Sequence, residues 1–220
     1  MHTIPDPGAR PVLASPTQLQ EGIAALSRGA YFREASLEMA LSILTESAAR
    51  MSGIERVSIW ALTGDHRELC CLDLYELSPQ RHGGGERIMA SHYPDYFRAL
   101  RSESCIVADD AARHPATREF ATDYLTRHRI AAVLDTPIHI RGELQGVLSL
   151  EQVGTREPWH AAHCLFAHAV ANMVTLALVE HEAAQARHQA KAASEHLRKM
   201  FDLTQDPASP GDLAGDAQPA

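Results

Sequence analysis

Five aromatic residues fall between positions 93 and 124 of a chain whose aromatic content is only 5%: Tyr93, Tyr96, Phe97, Phe120 and Tyr124. Tyrosine joins an apolar ring to a hydroxyl tip, so this set can line a small-molecule pocket, which is mostly apolar with a few placed polar groups. The same set can equally pack a crossover segment onto a sheet. Carboxylates offer a second chemistry. Asp135 interrupts the apolar run Ala131-Ala-Val-Leu-Asp-Thr-Pro-Ile138, and a carboxylate in a central strand needs a charged or hydrogen-bonding partner. It either faces a pocket or fixes a neighbouring loop. The pair Asp109-Asp110 can accept hydrogen bonds from a ligand amine or hydroxyl, or cap a helix N-terminus, where Asp is among the preferred residues.

Histidine and cysteine supply weaker signals. His160 and His163 stand three apart at the start of a helical segment, with Cys164 and His168 close by, and such a pair can bind a metal or report pH. No carboxylate or third ligand lies nearby, so we expect no metal site there. The four cysteines, Cys70, Cys71, Cys105 and Cys164, lack metal-ribbon spacing and fit a reduced, cytoplasmic protein. Gly83–Gly85 lacks the lysine of a phosphate loop and the spacing of a dinucleotide fingerprint, and no serine nucleophile elbow is visible. A net charge of −8 without a basic patch argues against nucleic acid or an anionic membrane as partner. No uninterrupted apolar run reaches the ~18 residues of a membrane span, and the Pro-containing start lacks a signal-peptide core.

The elements that must hold these residues follow from periodicity. Residues 1–16 carry four prolines and read as a flexible arm. A first helix is expected from Pro16 to Arg28, capped by Ser15, within an N-terminal helical region ending near 32. A second, from Arg33 to Ser52, bears the stripe Leu37, Ala40, Leu41, Leu44, Ala48 and Met51 and stops at Gly53. Arg56–Leu62 and Glu68–Leu77 form a hairpin across Thr63-Gly64-Asp65-His66. A loop at Gly83–Gly85, a short strand at Arg87–Ser91, a short helix at Tyr93–Leu100 and a short strand at Cys105–Ala108 come next. Asp109–His128 is a loop-and-helix crossover, followed by strands Ala131–Ile140 and Glu143–Val153. Helix, hairpin, crossovers, hairpin, helix predicts an α+β sandwich around a mainly antiparallel sheet. The terminal helices cover one face and the interrupted middle covers the other.

From Pro158, whose missing N–H costs little at a helix start, a helical pattern runs unbroken to about 203. Its seam reads Leu165, Ala169, Asn172, Leu176, Val179, Ala183, Ala186, Ala190, Ala193, Leu197, Met200, stepping by four and three. That alternation is the heptad signature of helices that wrap around a partner. About 40 helical residues extend roughly 60 Å, more than one domain can bury. The first half can pack on its own domain and the second needs a partner, so a homodimer is expected through Leu165, Asn172, Leu176, Val179, Ala183, Ala186, Ala190 and Leu197. The competing reading is an Ala-rich helix that is simply long and solvated. Residues 204–220, with Pro207, Pro210, Gly211 and Gly215, read as a disordered tail.

The chain resembles the GAF family of sensory domains. The resemblance rests on Arg56-Val-Ser-Ile-Trp60, Tyr93-Pro-Asp-Tyr-Phe-Arg-Ala-Leu100, Ile106-Val-Ala-Asp-Asp110, Asp123-Tyr-Leu125, Leu134-Asp-Thr-Pro-Ile138 and Gly146-Val-Leu-Ser-Leu-Glu151, in the family's order. It covers the segment 33–180 and resembles modules placed upstream of bacterial signalling outputs. It implies a six-stranded sheet, a ligand pocket under the crossover helices and dimer contacts through the terminal helices. The implied pocket would draw on Tyr93, Tyr96, Phe97, Asp109, Asp110, Phe120, Tyr124 and Asp135.

The family label leaves the ligand and any cofactor unknown, because fold does not imply function. Bilin-binding members attach their chromophore through a pocket Cys usually followed by His, whereas Cys105 is followed by Ile106. Free methionine sulfoxide reductases are enzymes of this fold; their motifs are absent, and Asp109 and Asp110 disfavour a reactive Cys105. The cyclic-nucleotide pattern of the family is absent too. Glu195-His-Leu-Arg-Lys-Met-Phe-Asp-Leu203 resembles a helix entering a PAS domain; either an output was lost and the protein acts in trans, or this is a common amphipathic helix end. The expectation is a non-catalytic sensory module that binds a small molecule and signals through a dimeric helix to a separate partner. Its rivals are a dimerisation scaffold with a filled pocket and a thiol-dependent reductase.

Overall fold

The computed structural model describes residues 14–28, 35–154 and 156–204, with side chains to 199. The expectations for residues 1–13, 29–34 and 205–220 therefore lie outside the described residues. Helix α1 (Pro16–Ser27) opens with a capping box: the Gln18 N–H donates to Ser15 Oγ and the Ser15 N–H donates to Gln18 Oε1. Two otherwise orphaned donors are thereby satisfied. Helix α2 (Leu37–Ser52) is capped by Ser36 and closed by Gly53 at φ 73°, a left-handed position that suits glycine.

A hairpin of β1 (Arg56–Leu62) and β2 (Glu68–Glu76) follows, then β3 (Arg81–Gly83) and β4 (Arg87–Met89). Helix α3 (Pro94–Ser102), β5 (Ile106–Ala108), a 3-10 turn at Arg118–Phe120 and helix α4 (Tyr124–His128) form the crossovers. A second hairpin, β6 (Ile130–Ile140) and β7 (Glu143–Val153), leads to α5 (Ala161–Thr204). The sheet runs β3-β2-β1-β7-β6-β5, with β4 also on β2, and every pairing is antiparallel. It has seven strands instead of six because β3, where no strand was expected, pairs with Leu74–Glu76 while β4 takes Glu68–Cys70. An Arg81–Glu76 ion pair at 2.7 Å holds that extra strand.

Strand alternation gives the sheet two different faces. Ile59, Leu134, Leu148 and Leu150 pack under Leu19 and Leu26 of α1, Leu41 and Leu44 of α2, and Phe166, Val170 and Val174 of α5. On the other face Trp60, Val133 and Val147 meet Tyr96, Phe97 and Leu100 of α3 and Phe120, Tyr124 and Leu125 of the crossover. The central strands approach closely at Gly146, where a β-carbon would stand 2.1 Å from the Trp60 carbonyl oxygen. A side chain there would push β1 and β7 apart.

The helix begins at Ala161, three residues later than Pro158 suggested. Gln152 clamps the preceding segment, accepting from the Glu157 N–H and donating to the Glu157 carbonyl, while the Trp159 N–H donates to Asp109 Oδ1 at 2.7 Å. Those side chains hold 157–159 outside the helix, and the peptide N–H of Trp159 is spent on Asp109. Of the described helices, α5 alone is long and apolar enough by composition to cross a membrane. Its apolar content includes the stripe Phe166, Ala167, Val170, Ala171 and Val174 that faces the sheet core. The chain divides into two compact units, 1–181 and 182–220, and in the second every described side chain is exposed.

Candidate functional site

Between the sheet and the crossover lies a cavity lined by Trp60, Ile88, Tyr96, Thr117, Phe120, Tyr124, Leu125, Val133, Asp135 and Glu151. The strands build its floor. Asp135 on β6 stands opposite Ser149 on β7, which stands opposite Ser58 on β1. One step along, Glu151 on β7 lies between Arg56 on β1 and Val133 on β6. The residues that alternate onto this face thus include two carboxylates and a guanidinium, all buried.

Arg56 and Glu151 satisfy each other. Arg56 Nε donates to Glu151 Oε2 at 2.8 Å, a second Arg56 nitrogen donates to Glu76 Oε1 at 2.6 Å, and Tyr124 Oη donates to Glu151 Oε1 at 2.9 Å. A buried ion pair survives only with this kind of added hydrogen bonding. Burial outweighs the other influences on the Tyr124 hydroxyl and keeps it protonated, hence a donor.

Asp135 is different. Tyr96 Oη donates to its Oδ2 at 2.6 Å, but Oδ1 is buried and makes no hydrogen bond, although the Ser149 hydroxyl stands close enough to draw the carboxyl's pKa down. The residue is 2% exposed and no cationic side chain among the described residues pairs with it. Burial pushes its carboxyl up to about 7, against the lowering pull of the Ser149 and Tyr96 hydroxyls, with Glu151 adding repulsion. Unpaired charge in a low dielectric is costly, and the group moves toward its neutral form instead.

Rings form the walls. Phe120 packs edge-on against Tyr96 at 4.9 Å between centroids, and Trp60 against Tyr124 at 6.3 Å. Trp60 Nε1 donates to Ser58 Oγ, so the indole is fixed from behind. Glu119 replaces the missing cap of α3, its Oε2 accepting from the N–H groups of Asp95 and Tyr96. That bond ties the 3-10 turn to the helix carrying Tyr96. About 20 Å³ is open to the centre of a water molecule, a little more than one water needs.

The structure brings together Tyr96, Phe120, Tyr124 and Asp135 of the expected pocket residues. Tyr93 stacks on the outer side of Phe120 at 4.1 Å and Phe97 is buried behind Tyr96, so both support the wall without lining the cavity. Asp109 and Asp110 stand outside it. Asp109 accepts from the Trp159 N–H, and Asp110 pairs with Arg156 and, at 3.7 Å, with Arg113. Neither caps the helix that the sequence suggested; both brace the segment before α5. Arg56, Ser149, Glu151 and Trp60 were not anticipated. The signal was present in Arg56, Ser58 and Trp60, and in Ser149 and Glu151, which alternate in phase along two strands, but it becomes a site only once register is known.

The other candidates lie elsewhere. Cys105 sits half-buried beside Thr136 and Cys164 on the terminal-helix face, and burial pushes its thiol up to about 12. Cys71 is buried in the crossover-side core, with its thiol likewise pushed up by burial to about 12. His160 precedes α5 and stacks on His163, whose Nδ1 accepts from the His160 N–H at 3.1 Å. Burial lowers the His163 pKa, so it stays neutral. His168 lies between the carbonyls of Cys164 and Ser104.

Structural comparison gives the same architecture. A bacteriophytochrome from the photosynthetic bacterium R. palustris is similar over 87% of this chain, with 16% identity and a TM-score of 0.64, and the chain spans 43% of its length. The phycocyanobilin-bound GAF domain of a cyanobacterial phytochrome is similar over 79% of this chain and 98% of its own, with 16% identity and a TM-score of 0.61. The free methionine-R-sulfoxide reductase of Neisseria meningitidis, in complex with its substrate, is similar over 76% of this chain and 89% of its own, at 14% identity and a TM-score of 0.55. By sequence the chain has no match among curated proteins. Its residues 36–178 match the GAF domain model, and the chain belongs to the GAF domain family.

Proposed function

We propose that this chain is a non-catalytic, cytoplasmic regulatory module that binds a small molecule in the cavity under α3 and α4. Its homodimer would pass the bound state along α5 to a separate signalling protein. The observation that carries the reading is the buried Asp135 Oδ1, unpartnered in a ring-lined cavity. A buried polar atom left without a partner calls for one. On the other side of the molecule Leu165, Leu176 and Val179 remain exposed along the α5 seam, with Leu165 at 69%. Large apolar side chains repeating at heptad positions fit a second helix. Ligand can shift the helix pair only by binding one arrangement more tightly than the other.

Native mass spectrometry of protein from its own host, against its denatured mass, tests the binding half. A small noncovalent adduct is expected; a bare dimer would leave the scaffold. Saturation at 100 times the dissociation constant should stabilise the fold by about 2.7 kcal/mol. Light scattering tests the dimer: a monomer at micromolar concentration, unchanged by truncation after Val179, would remove it.

The scaffold reading has one observation in its favour, the small size of the cavity. Neither a thiol-dependent reductase nor covalent bilin attachment in the cavity draws support from its lining, which holds no cysteine.

A further inference from the structure

We propose that the cavity takes a small organic cation, a primary ammonium or amidinium on an apolar stem, whose N–H donates to Asp135 Oδ1 while the stem lies against Trp60, Phe120 and Tyr124. This rests on reading the cavity as a ligand site. Charge balance selects the class. The buried guanidinium of Arg56 is committed to Glu151 and Glu76, and Arg81 shares Glu76 from outside. Asp135 alone on the floor lacks a counter-charge. A phosphate or carboxylate would meet two carboxylates and find its one buried cation occupied. Calcium or magnesium needs about six oxygens in its shell and zinc at least three protein ligands, and the described residues hold no cluster of three potential ligands. An organic cation needs one good acceptor, and the faces of Trp, Tyr and Phe attract the rest of its charge.

Four other buried polar atoms make no hydrogen bond among the described residues: Tyr75 Oη, Trp159 Nε1, His163 Nε2 and His128 Nε2, the last lying 3.6 Å from Glu86. None belongs to a residue lining the cavity. As it stands the cavity admits about one water, so a cation with a stem requires the 3-10 turn and α4 to move outward. Those elements are three and five residues long. Arg127 fastens α4 through exposed ion pairs to Glu86 and Asp123, which are individually weak. Opening there leaves the sheet intact.

A proton competes for the same oxygen. The groups facing Asp135 are Ser149 and Glu151 on β7, Tyr96 on α3, and Tyr124 and Thr117 of the crossover, with Arg56 held beyond Glu151. With the carboxyl at about 7, cation affinity should be about tenfold weaker at pH 6 than at pH 8, as the competent carboxylate fraction falls.

The test uses the full chain and follows the indole N–H resonance of Trp60, with Trp159 as the internal reference on the other face. Propylammonium is compared with propan-1-ol, and benzamidinium with benzamide, at matched ionic strength. The expected result is saturable movement of the Trp60 signal by a cation, with the neutral partner at least tenfold weaker. Asp135→Asn should abolish the cation response, and Tyr96→Phe, which keeps the carboxylate, should retain it. The pH comparison needs no variant, so it decides the matter even where Asp135→Asn fails to fold. Equal response to the neutral partner, a cation response surviving in Asp135→Asn, or affinity independent of pH would overturn the cation class while leaving a ligand site. A Trp60 signal that no probe moves, together with a bare native mass, would overturn the ligand site as well.

Discussion

The two faces of the sheet are made by the same strands and obey different rules. Toward α1, α2 and α5, Ile59, Leu134, Leu148 and Leu150 meet Phe166, Val170 and Val174 in a mainly apolar layer, whose unpartnered polar atoms, Tyr75 Oη and Trp159 Nε1, are uncharged. One residue along in each strand, Ser58, Asp135, Ser149 and Glu151 turn the opposite way, and the layer becomes a buried network with one oxygen unfilled. Apolar burial is non-directional and tolerates adjustment, whereas buried polar groups demand specific partners. The helix face therefore holds the fold, and the crossover face carries, in Asp135, a buried carboxyl without a counter-charge.

The strongest break should come on the helix face. Phe166→Ala removes a fully buried ring and should cost about 3–5 kcal/mol in denaturant unfolding. It should leave the response of Trp60 to cavity probes unchanged. Across the sheet, Glu151→Gln leaves Arg56 with Glu76 alone and should cost about 3 kcal/mol. Unlike Phe166→Ala, it should also change the environment of Tyr124. Equal insensitivity of the cavity to both substitutions would erase the division of labour.

Asp135 gives a smaller and more selective effect. Its folded pKa of about 7 exceeds the ordinary 3.8, so the folded state binds more protons than the unfolded state between those values. Its contribution is fully present below the lower value and lost as pH rises through 7, at about 1 kcal/mol per pH unit. The difference in stability between wild type and Asp135→Asn should therefore move steadily in favour of the variant from pH 5 to pH 7. A constant difference would mean that Asp135 is charged throughout. Smallest for the fold itself is Leu176→Asp, at a half-exposed seam position. It should alter the monomer by about 0.5 kcal/mol or less and still dissociate the proposed dimer in sedimentation.

Much of this architecture is legible in the sequence because the long elements repeat. The stripe of α2, the Ser15 cap and the two hairpins are local patterns, and each appears where the sequence places it, while the Ser36 cap starts α2 four residues later than expected. The seven-stranded sheet departs from expectation at β3, which has three residues and no alternation of its own. The site was half legible. Tyr96, Phe120, Tyr124 and Asp135 stand out by type alone. Arg56 and Glu151 lie 95 positions apart, and only strand register makes them partners. Asp109 and Asp110 read as ligand acceptors or a cap by residue type alone, while their partners, Trp159 and Arg156, lie 50 and 46 residues downstream.

The bond from the Trp159 N–H to Asp109 Oδ1 also supplies a clock. That amide lies outside α5, and its protection depends on a side chain two residues before Ala111, where the crossover bearing Thr117 and Phe120 leaves the sheet. Its deuterium uptake therefore reads how often the crossover and the root of the long helix part company. An occupant that steadies the crossover should slow uptake at Trp159 while amides buried deep in β7 exchange at their former rate.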